Sequence, residues 1–245
     1  YLGVDDIARR KGHVYDTVIS DLGRRKVLTI LRGRRKEDIT DYFRAMPDEW
    51  RKSIKAVSID MSKTFEAVVL KHLPTAAIVV DRFHIAAQLH KRVDEARRHI
   101  QNKQKKEGKE RVFNIRWLIL KNVEDLTAQE LIRLNEMYDI DEYLALCHEL
   151  KEEFRLFFEE IKTQESASAF LDYWTVRVEE TGIPELIAFG RTLSNWREEI
   201  LNYWNYSISN GFVEAQNHKI QNIKRRAYGY RNNENFDRRV LLECG

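Results

Sequence analysis

The hydrophobic pattern of the chain changes its period once, near residue 85, and this change limits the possible folds. Before that point, short runs rich in Val, Ile and Thr alternate with segments whose apolar residues are three and four positions apart. Runs of the first kind predict β-strands, and segments of the second kind predict amphipathic helices. From about residue 86 to residue 202 the spacing is helical almost throughout. The pattern therefore predicts an α/β unit interrupted by an all-helical block.

The α/β part is predicted to have the order βββαβαβ. Its strands are "YLGVDDIA", "GHVYDTVISDL", "KVLTILRG", "IKAVSIDM" and "AAIVVDRFH", and the first three can form a meander. The helices between them are "KEDITDYFRAMPDEWRKS" and "SKTFEAVVLKHLP". In the helical block, "TGIP" marks one break. We predict a core built from residues 1–88 and 206–245, the latter contributing a helix, with residues 89–205 inserted as a helical domain.

The composition excludes several classes of protein. With 43% hydrophobic residues in 245, the chain can bury a substantial core and is not a low-complexity disordered segment. Its two cysteines form no CxxC pair, which excludes a disulfide framework and argues against zinc. The sequence shows no signal peptide and no apolar run of membrane length. A reduced intracellular setting is expected, and the start at "YLGVDD" without Met suggests a fragment of a longer protein.

The charges are distributed unevenly, although the net charge is only +3. Residues 9–36 and 215–231 have an excess of Lys and Arg over Asp and Glu, whereas residues 121–165 are rich in Asp and Glu. Basic flanks suit binding to a polyanion, but such runs also occur as solvated faces. The acidic middle is not expected to contact DNA.

Three aspartates end or interrupt predicted strands. Asp5 lies within the first strand, Asp60 ends "AVSID" and Asp81 ends "AIVVD". Asp is depleted in strands, so these positions need a reason. Asp60 can instead cap the helix that follows it. Asp5 is harder to explain structurally, because burying its charge without a counter-charge is costly, and a divalent metal ion would supply that counter-charge.

A fourth acid, Glu214, begins a helix-like run that becomes basic and aromatic, "VEAQNHKIQNIKRRAYGYR". Mg²⁺ prefers oxygen ligands, and two such ions can promote phosphodiester cleavage when about three carboxylates converge from separate elements. Asp5, Asp60 and Glu214 could form that set. By themselves these spacings are not specific, since many α/β proteins contain three scattered acids.

Three blocks, taken together and in this order, resemble the catalytic domain of ISL3-type transposases of bacterial insertion sequences. They are "GVDDIARRKGHVYDTVISDL", "AVSIDMSKTFEAVVLKHLPTAAIVVDRFHIAAQLHKRVDEARR" and "SNGFVEAQNHKIQNIKRRAYGYRNNENF". The resemblance covers residues 1–98 and 207–245, and is loose between them. It implies a DDE transposase with a ribonuclease-H-like core, in which Asp5, Asp60 and Glu214 are the catalytic acids and hold two Mg²⁺ or Mn²⁺ ions. Asp6 is disfavoured because it faces the opposite side of the strand from Asp5.

Two further features bear on this resemblance. Related transposases with a helical insertion carry a Cys/Asp-x-x-His motif after the second acid, and Asp81 and His84 in "DRFH" match it. The resemblance gives them a supporting role near the scissile phosphate, although His84 could equally be a partly buried structural histidine. The family usually has Gly where this chain has Ala215, and it normally carries a zinc-binding segment and a helix-turn-helix that this chain lacks.

The implied reaction is phosphoryl transfer on double-stranded DNA, without a covalent protein–DNA intermediate. A homo-oligomer in the bacterial cytoplasm, associated with the nucleoid, is expected by analogy with the family. Trp204, Tyr206 and Tyr228 are predicted to pack in the core rather than to stack on bases. Contacts to DNA phosphates are predicted for eight basic residues: Arg9, Arg10, Lys11, Lys219, Lys224, Arg225, Arg226 and Arg231.

Three alternatives stay open from the sequence. One is another ribonuclease-H-like nuclease or a resolvase that shares the metal site. The second is an inactive DNA-binding module derived from a transposase, although the presence of all three acids argues against it. The third, a helical scaffold without chemistry, explains the acids at strand and helix ends poorly.

Overall fold

The computed structural model describes residues 1–10, 14–107, 115–208, 211–228, 230 and 232–245, except for the side chains of Arg9 and Arg10. The chain forms two compact units. The first combines Tyr1–His84 with Glu198–Gly245, and the second is Ile85–Arg197. The domain boundaries at residues 88 and 205 stay a prediction.

The first unit contains a five-stranded mixed sheet. Its strands are β1 (Leu2–Arg10), β2 (Val14–Asp21), β3 (Lys26–Leu31), β4 (Ala56–Ile59) and β5 (Ala77–Val80). The order is β3-β2-β1-β4-β5, in which β1, β2 and β3 are antiparallel and β4 and β5 run parallel to β1. The predicted meander and the two later strands are thus confirmed, as is a mixed α/β fold. The ribonuclease-H-like identity of this sheet stays a proposal.

The helices between the strands differ from the prediction at one point. The single helix expected after β3 is two, α1 (Lys36–Ala45) and α2 (Asp48–Ser53). Pro47 separates them, because the residue before a proline is pushed out of the helical region, and Met46 is extended with φ −71° and ψ 135°. After β4, α3 (Lys63–His72) begins at Ser62, whose hydroxyl accepts a hydrogen bond from the backbone N–H of Phe65.

The second unit is helical wherever the structure describes it, as predicted, although α4 begins three residues before the unit does. An aromatic cluster around the fully buried Trp174 fills its interior, with Phe154, Phe157 and Phe189. The predicted break at "TGIP" is present: Gly182 ends one helix at φ +65°, and Pro184 begins the next. The helices are α4 (Arg82–Lys106), α5 (Arg116–Leu120), α6 (Ala128–Ile140), α7 (Glu142–Arg155), α8 (Phe157–Glu160), α9 (Gln164–Thr181) and α10 (Pro184–Asn195), with a 3₁₀ turn at Val123–Asp125.

Three C-terminal helices follow: α11 (Arg197–Tyr206), α12 (Gly211–Arg226) and α13 (Asn233–Cys244). The last two pack on the sheet, where Ile220, Ile223, Phe236 and Val240 meet an apolar cluster from β1, β2 and β3. These residues are spaced by three and four along their helices, so one face of each helix is buried. The hydrophobic contact between sheet and helices therefore fixes where α12 lies along β1.

The aromatic residues near the start of the C-terminal part differ in their surroundings. Tyr206 packs against the buried cluster of Ala56, Val79 and Ile208, as predicted. Trp204 is half-buried against the ring of Tyr203. Tyr228 is fully exposed, so the prediction that it packs in the core is wrong. It follows the end of α12 with φ +51°, a backbone conformation that turns its side chain out of the helix.

No helix in the described part of the chain combines the length and the apolar character that a membrane span requires.

The helical unit buries a histidine whose protonation should limit its acid stability. His148 is 1% exposed, and its Nδ1 lies 2.7 Å from the hydroxyl of Tyr138. Burial, with the nearby charge of Lys151, lowers the pKa of His148 from 6.5 to about 4. The unfolded chain therefore binds this proton at a higher pH than the folded chain does.

We expect the free energy of unfolding to fall as the pH drops from about 6.5 to about 4, by on the order of 2 kcal/mol from this residue. Replacing His148 by Gln should remove this contribution to the pH dependence of the free energy of unfolding. Urea unfolding followed by circular dichroism at several pH values measures it. His218→Gln is the control, because His218 is exposed and makes no ion pair among the described residues. An unchanged pH dependence in His148→Gln would contradict this assignment.

Candidate active site

The parallel strands place three aspartates at one level of the sheet. Gly3 on β1 pairs with Ser58 on β4, and Ser58 pairs with Val79 on β5. Two residues beyond each partner lie Asp5, Asp60 and Asp81, which therefore form a row across the three strands. We call these three residues the acidic row. The positions that looked unusual in the sequence are thus brought together by strand register.

Asp60 and Asp81 also shape the backbone that follows their strands. Asp60 Oδ1 accepts a hydrogen bond from the N–H of Ser62 at 3.1 Å, just before α3. Asp81, which is 2% exposed, accepts from the N–H of Phe83 at 3.4 Å at the start of α4. Ser62 and not Asp60 caps α3, so the alternative that Asp60 caps this helix is wrong. Its bond to the Ser62 N–H shapes the turn before the helix, and this local role is compatible with a role in chemistry.

His84 lies beside the acidic row, one helical turn after Asp81. Its Nε2 is 3.4 Å from Asp5 Oδ1 and 3.8 Å from Asp81 Oδ2. The hydrogen bond to Asp5 and the negative charges of Asp5, Asp81 and Asp60 raise the pKa of His84 to about 9, although its burial acts in the opposite direction. At neutral pH His84 is therefore an imidazolium, and it supplies a positive charge to the row.

Asp6 has different partners from Asp5. The hydroxyl of Thr17, on the neighbouring strand, donates to Asp6 Oδ1 at 3.2 Å, and Arg34 Nη1 lies 3.9 Å from Asp6 Oδ2. Burial raises the pKa of Asp6 to about 6, against the effect of the Thr17 hydrogen bond, and the charges of Asp60 and Asp5 add to the rise. Asp5, rather than Asp6, contacts His84.

α12 reaches the acidic row through Asn217. The amide Nδ2 of Asn217 donates to Asp5 Oδ2 at 2.8 Å, while Asp5 Oδ1 accepts from the backbone N–H of Asp6 at 2.8 Å. Glu214 lies one turn earlier on the same helix and is exposed. Among the residues that the structure describes, Glu214 makes no hydrogen bond or ion pair. The structure thus brings Asp5, Asp60, Asp81 and His84 together and leaves Glu214 at the start of the helix that docks beside them.

Within the acidic row, the positive charge of His84 does not fully offset the cost of burying Asp60. Burial raises the pKa of Asp60, and the neighbouring charge of Asp5 adds to this, while His84 acts against it. Within the described residues, no group of three or more His, Cys, Asp or Glu side chains has metal-binding geometry. The donors that do converge are oxygen atoms, which suits a hard cation such as Mg²⁺. Asp5 and Asp60 therefore fit such an ion by chemistry.

The basic residues predicted to contact DNA have several different surroundings. Lys219 donates to the carbonyl of Glu243, and Arg226 Nη2 lies 2.8 Å from Glu243 Oε2. Lys224 Nζ is 3.3 Å from the carbonyl of Ala8. Arg225 is exposed and makes no ion pair within the described chain. The side chains of Arg9 and Arg10, and all of Lys11 and Arg231, lie outside the described residues.

Sequence reasoning missed Asn217, Thr17 and Arg34 as neighbours of the acids. For Asn217 a signal was present, because Glu214, Asn217, Gln221 and Lys224 follow one another at spacings of three, four and three. Such positions share one stripe of a helix. For Thr17 and Arg34 no pattern in the sequence points to Asp6.

Comparison with known proteins gives matches over nearly the whole chain. The ISL3 family model, described as "Transposase", matches residues 2–240. The transposase for insertion sequence element IS1001 of Bordetella parapertussis is 35% identical over 243 residues, which is 96% of this chain and 59% of that protein. The transposase for IS1557 of Mycobacterium tuberculosis is 26% identical over 253 residues, which is 94% of this chain and 56% of that protein.

The chain thus spans less than two thirds of the length of these relatives. No solved structure matches it.

Asp60 should cost stability when no cation is bound, because burial raises the pKa of its carboxyl. An aspartate whose folded pKa lies above its unfolded value destabilises the protein at neutral pH, and this penalty disappears as the pH falls towards the unfolded pKa. We therefore expect Asp60→Asn to raise the free energy of unfolding by on the order of 1 kcal/mol at pH 7 in EDTA, and by nothing below about pH 4.

Urea unfolding at both pH values measures this effect. Asp41→Asn is the control, because Asp41 is an exposed acid whose side chain is 73% accessible, and its substitution should change little. A loss of stability in Asp60→Asn at pH 7 would show that the Asp60 carboxylate does not destabilise the folded protein.

Proposed function

The chain belongs to the ISL3 family of transposases, and on this premise we propose that it cleaves and joins DNA strands at transposon ends by metal-dependent phosphoryl transfer. The observation that carries the proposal is the acidic row, in which three carboxylates lie at one level of the sheet beside a protonated histidine. Asp81 is buried, and Asp5 and Asp60 are half-buried. Structural proteins rarely keep such an arrangement, because desolvated carboxylates repel each other. A DDE mechanism on a ribonuclease-H-like core accounts for it.

In this proposal Asp5 and Asp60 hold two Mg²⁺ or Mn²⁺ ions together with Glu214. When bound, these ions would supply Lewis-acid chemistry, activating a water or a 3′-hydroxyl and stabilising the leaving oxygen. The protein's part is to present carboxylate oxygens from rigid elements. β1 and β4 fix the level of Asp5 and Asp60, and the apolar packing of α12 on the sheet keeps its first turn near them.

Two observations support Glu214 as the third acid. It lies on the same helix stripe as Asn217, which already touches Asp5. It is also exposed at the N-terminal end of a sixteen-residue helix, so its side chain is accessible to a ligand. Because Glu214 makes no described polar contact, its replacement should leave the fold intact.

His84 and Asp81 have a supporting role in the proposal. His84 keeps a proton on Nε2 at neutral pH and orients Asp5 Oδ1. Asp81 in turn holds His84 through the first turn of α4, where the N–H of His84 donates to the Asp81 carbonyl at 3.1 Å. An imidazolium at this place can also attract a DNA phosphate. Double-stranded DNA and a second copy of the chain are the proposed partners.

We expect Asp5→Asn, Asp60→Asn and Glu214→Gln each to reduce Mn²⁺-dependent nicking of supercoiled plasmid by about a hundredfold or more, because each removes a metal ligand. Glu234→Gln is the matched control, since Glu234 is an exposed acid in the first turn of α13. Full nicking by Glu214→Gln would remove Glu214 from the site. Transfer of a 3′-hydroxyl end into a second DNA distinguishes a transposase from a nuclease with the same metals.

A second readout does not depend on activity. Fe²⁺ bound at the site in place of Mg²⁺ should cut the polypeptide locally when ascorbate and peroxide are added. Fragments ending near residues 5, 60 and 214 are expected, and Mg²⁺ should suppress them in competition. Cleavage elsewhere would place the metal outside the acidic row.

The basic face of α12 gives a test of DNA contact. Arg225→Ala should weaken binding to a duplex of any sequence. The slope of log Kd against log salt should fall by about 1, the value for one lost phosphate contact. Glu243→Gln should have the opposite effect, because it removes the carboxylate charge that pairs with Arg226 and Arg239. The bond from Lys219 to the backbone carbonyl of Glu243 is not affected by this substitution. Fluorescence anisotropy across a salt series measures both. If Glu243→Gln leaves affinity unchanged, Arg226 serves only to hold α13.

A further inference from the structure

Asn217 joins the acidic row to α12, and its contact is not shared by its neighbours on the helix. Asn217, Gln221 and Lys224 all point from α12 to β1. Gln221 Nε2 donates to the carbonyl of Ala8 at 2.8 Å, and Lys224 Nζ lies 3.3 Å from the same oxygen. These two contacts hold the helix on the strand. Of the contacts described for these three side chains, the one made by Asn217 reaches a carboxylate of the candidate active site.

The hydrogen bond fixes which way the Asn217 amide faces. Asp5 Oδ2 is an acceptor and Asn217 Nδ2 is a donor, at 2.8 Å. The flipped amide would set an oxygen against a carboxylate oxygen, which is unfavourable. The other oxygen of Asp5 already accepts from the Asp6 N–H and faces His84. Asn217 therefore completes the set of donors that fixes the rotamer of Asp5.

This orientation leaves the amide oxygen of Asn217 without a donor. Asn217 Oδ1 is buried and has no hydrogen-bond partner among the described residues. Buried acceptors are normally satisfied, so an unsatisfied one beside an acidic site requires an explanation. A divalent cation in such a site keeps several bound waters, and their hydrogens need acceptors. The amide oxygen has the right chemistry for that purpose.

We propose that Asn217 is a positioning residue of the active site, with a separate task for each end of its amide. Its N–H group holds Asp5, and its oxygen accepts a hydrogen bond from the water shell of the cation. The inference rests on the proposed function, since it needs a cation at Asp5 and Asp60. It adds a residue that contacts no reacting atom and acts through Asp5 and through bound water.

The test compares Asn217→Ala with Gln221→Ala in the 245-residue chain. Both substitutions remove one side-chain hydrogen bond between α12 and β1, so both should lower the melting temperature to a similar extent. Mn²⁺ affinity, measured by electron paramagnetic resonance of free Mn²⁺, should separate them. Loss of a group that orients a ligand typically weakens metal binding about tenfold or more. That loss is expected for Asn217→Ala and not for Gln221→Ala.

Asn217→Asp provides a second variant that does not depend on truncation. It sets a carboxylate against Asp5, so the metal-free protein should melt lower than wild type. A cation relieves this repulsion, so the rise in melting temperature on adding Mn²⁺ should exceed that of wild type. A purely structural asparagine would give the same Mn²⁺ response in both proteins.

Two outcomes overturn the inference, and they are distinguishable. If Asp60→Asn loses Mn²⁺ while Asn217→Ala and Asn217→Asp respond to it as wild type does, the metal site stands and the role of Asn217 fails. If Asp60→Asn itself binds Mn²⁺ with wild-type affinity, the proposed metal site fails, and the inference fails with it.

Discussion

Repulsion between carboxylates is the constraint on which the first unit depends. Strand register places Asp5, Asp60 and Asp81 at one level, and burial together with the charge of Asp5 raises the pKa of Asp60 there. The surrounding groups stabilise the carboxylates with hydrogen-bond donors and positive charge. His84 lies beside Asp5 and Asp81. Asp5 also accepts hydrogen bonds from the Asn217 amide and from the backbone N–H of Asp6. The proposed metal ions would offset the same negative charge, in addition to these donors.

Much of the fold follows from periodicity in the sequence. Five β-branched runs and a helical remainder predict the strands and the two kinds of unit, and a tight antiparallel meander needs only short turns. The split between α1 and α2 shows the limit of that reading. Helical spacing continues across Met46, but the ring of Pro47 excludes the helical conformation for the residue before it. The steric effect of Pro47 on Met46 therefore ends α1, although the hydrophobic pattern continues.

The candidate site was only partly predictable, for a different reason. The acids at strand ends stand out because Asp is rare there, and parallel strands bring their ends to one edge. The stripe that Asn217 shares with Glu214 places both on one face of α12, but it does not specify Asp5, 212 residues away, as the partner of Asn217. Glu214 illustrates the same difficulty, since the family resemblance assigns it a role while its side chain is exposed beyond the acidic row. Tyr228 was misjudged because a positive φ after α12 turns it into solvent.

The distance in sequence between Asp5 and Asn217 also has a consequence for folding. β1, β2 and β3 pair with near neighbours and can form while the chain is being synthesised, whereas contacts between distant residues form slowly. Asp5 is therefore synthesised before its hydrogen-bond partner Asn217, which lies 212 residues later in the chain. A nascent chain would carry the sheet and the first acid but not the helix that orients it. The hydrogen bond between Asp5 and Asn217 therefore marks the completion of this unit and not the formation of its sheet.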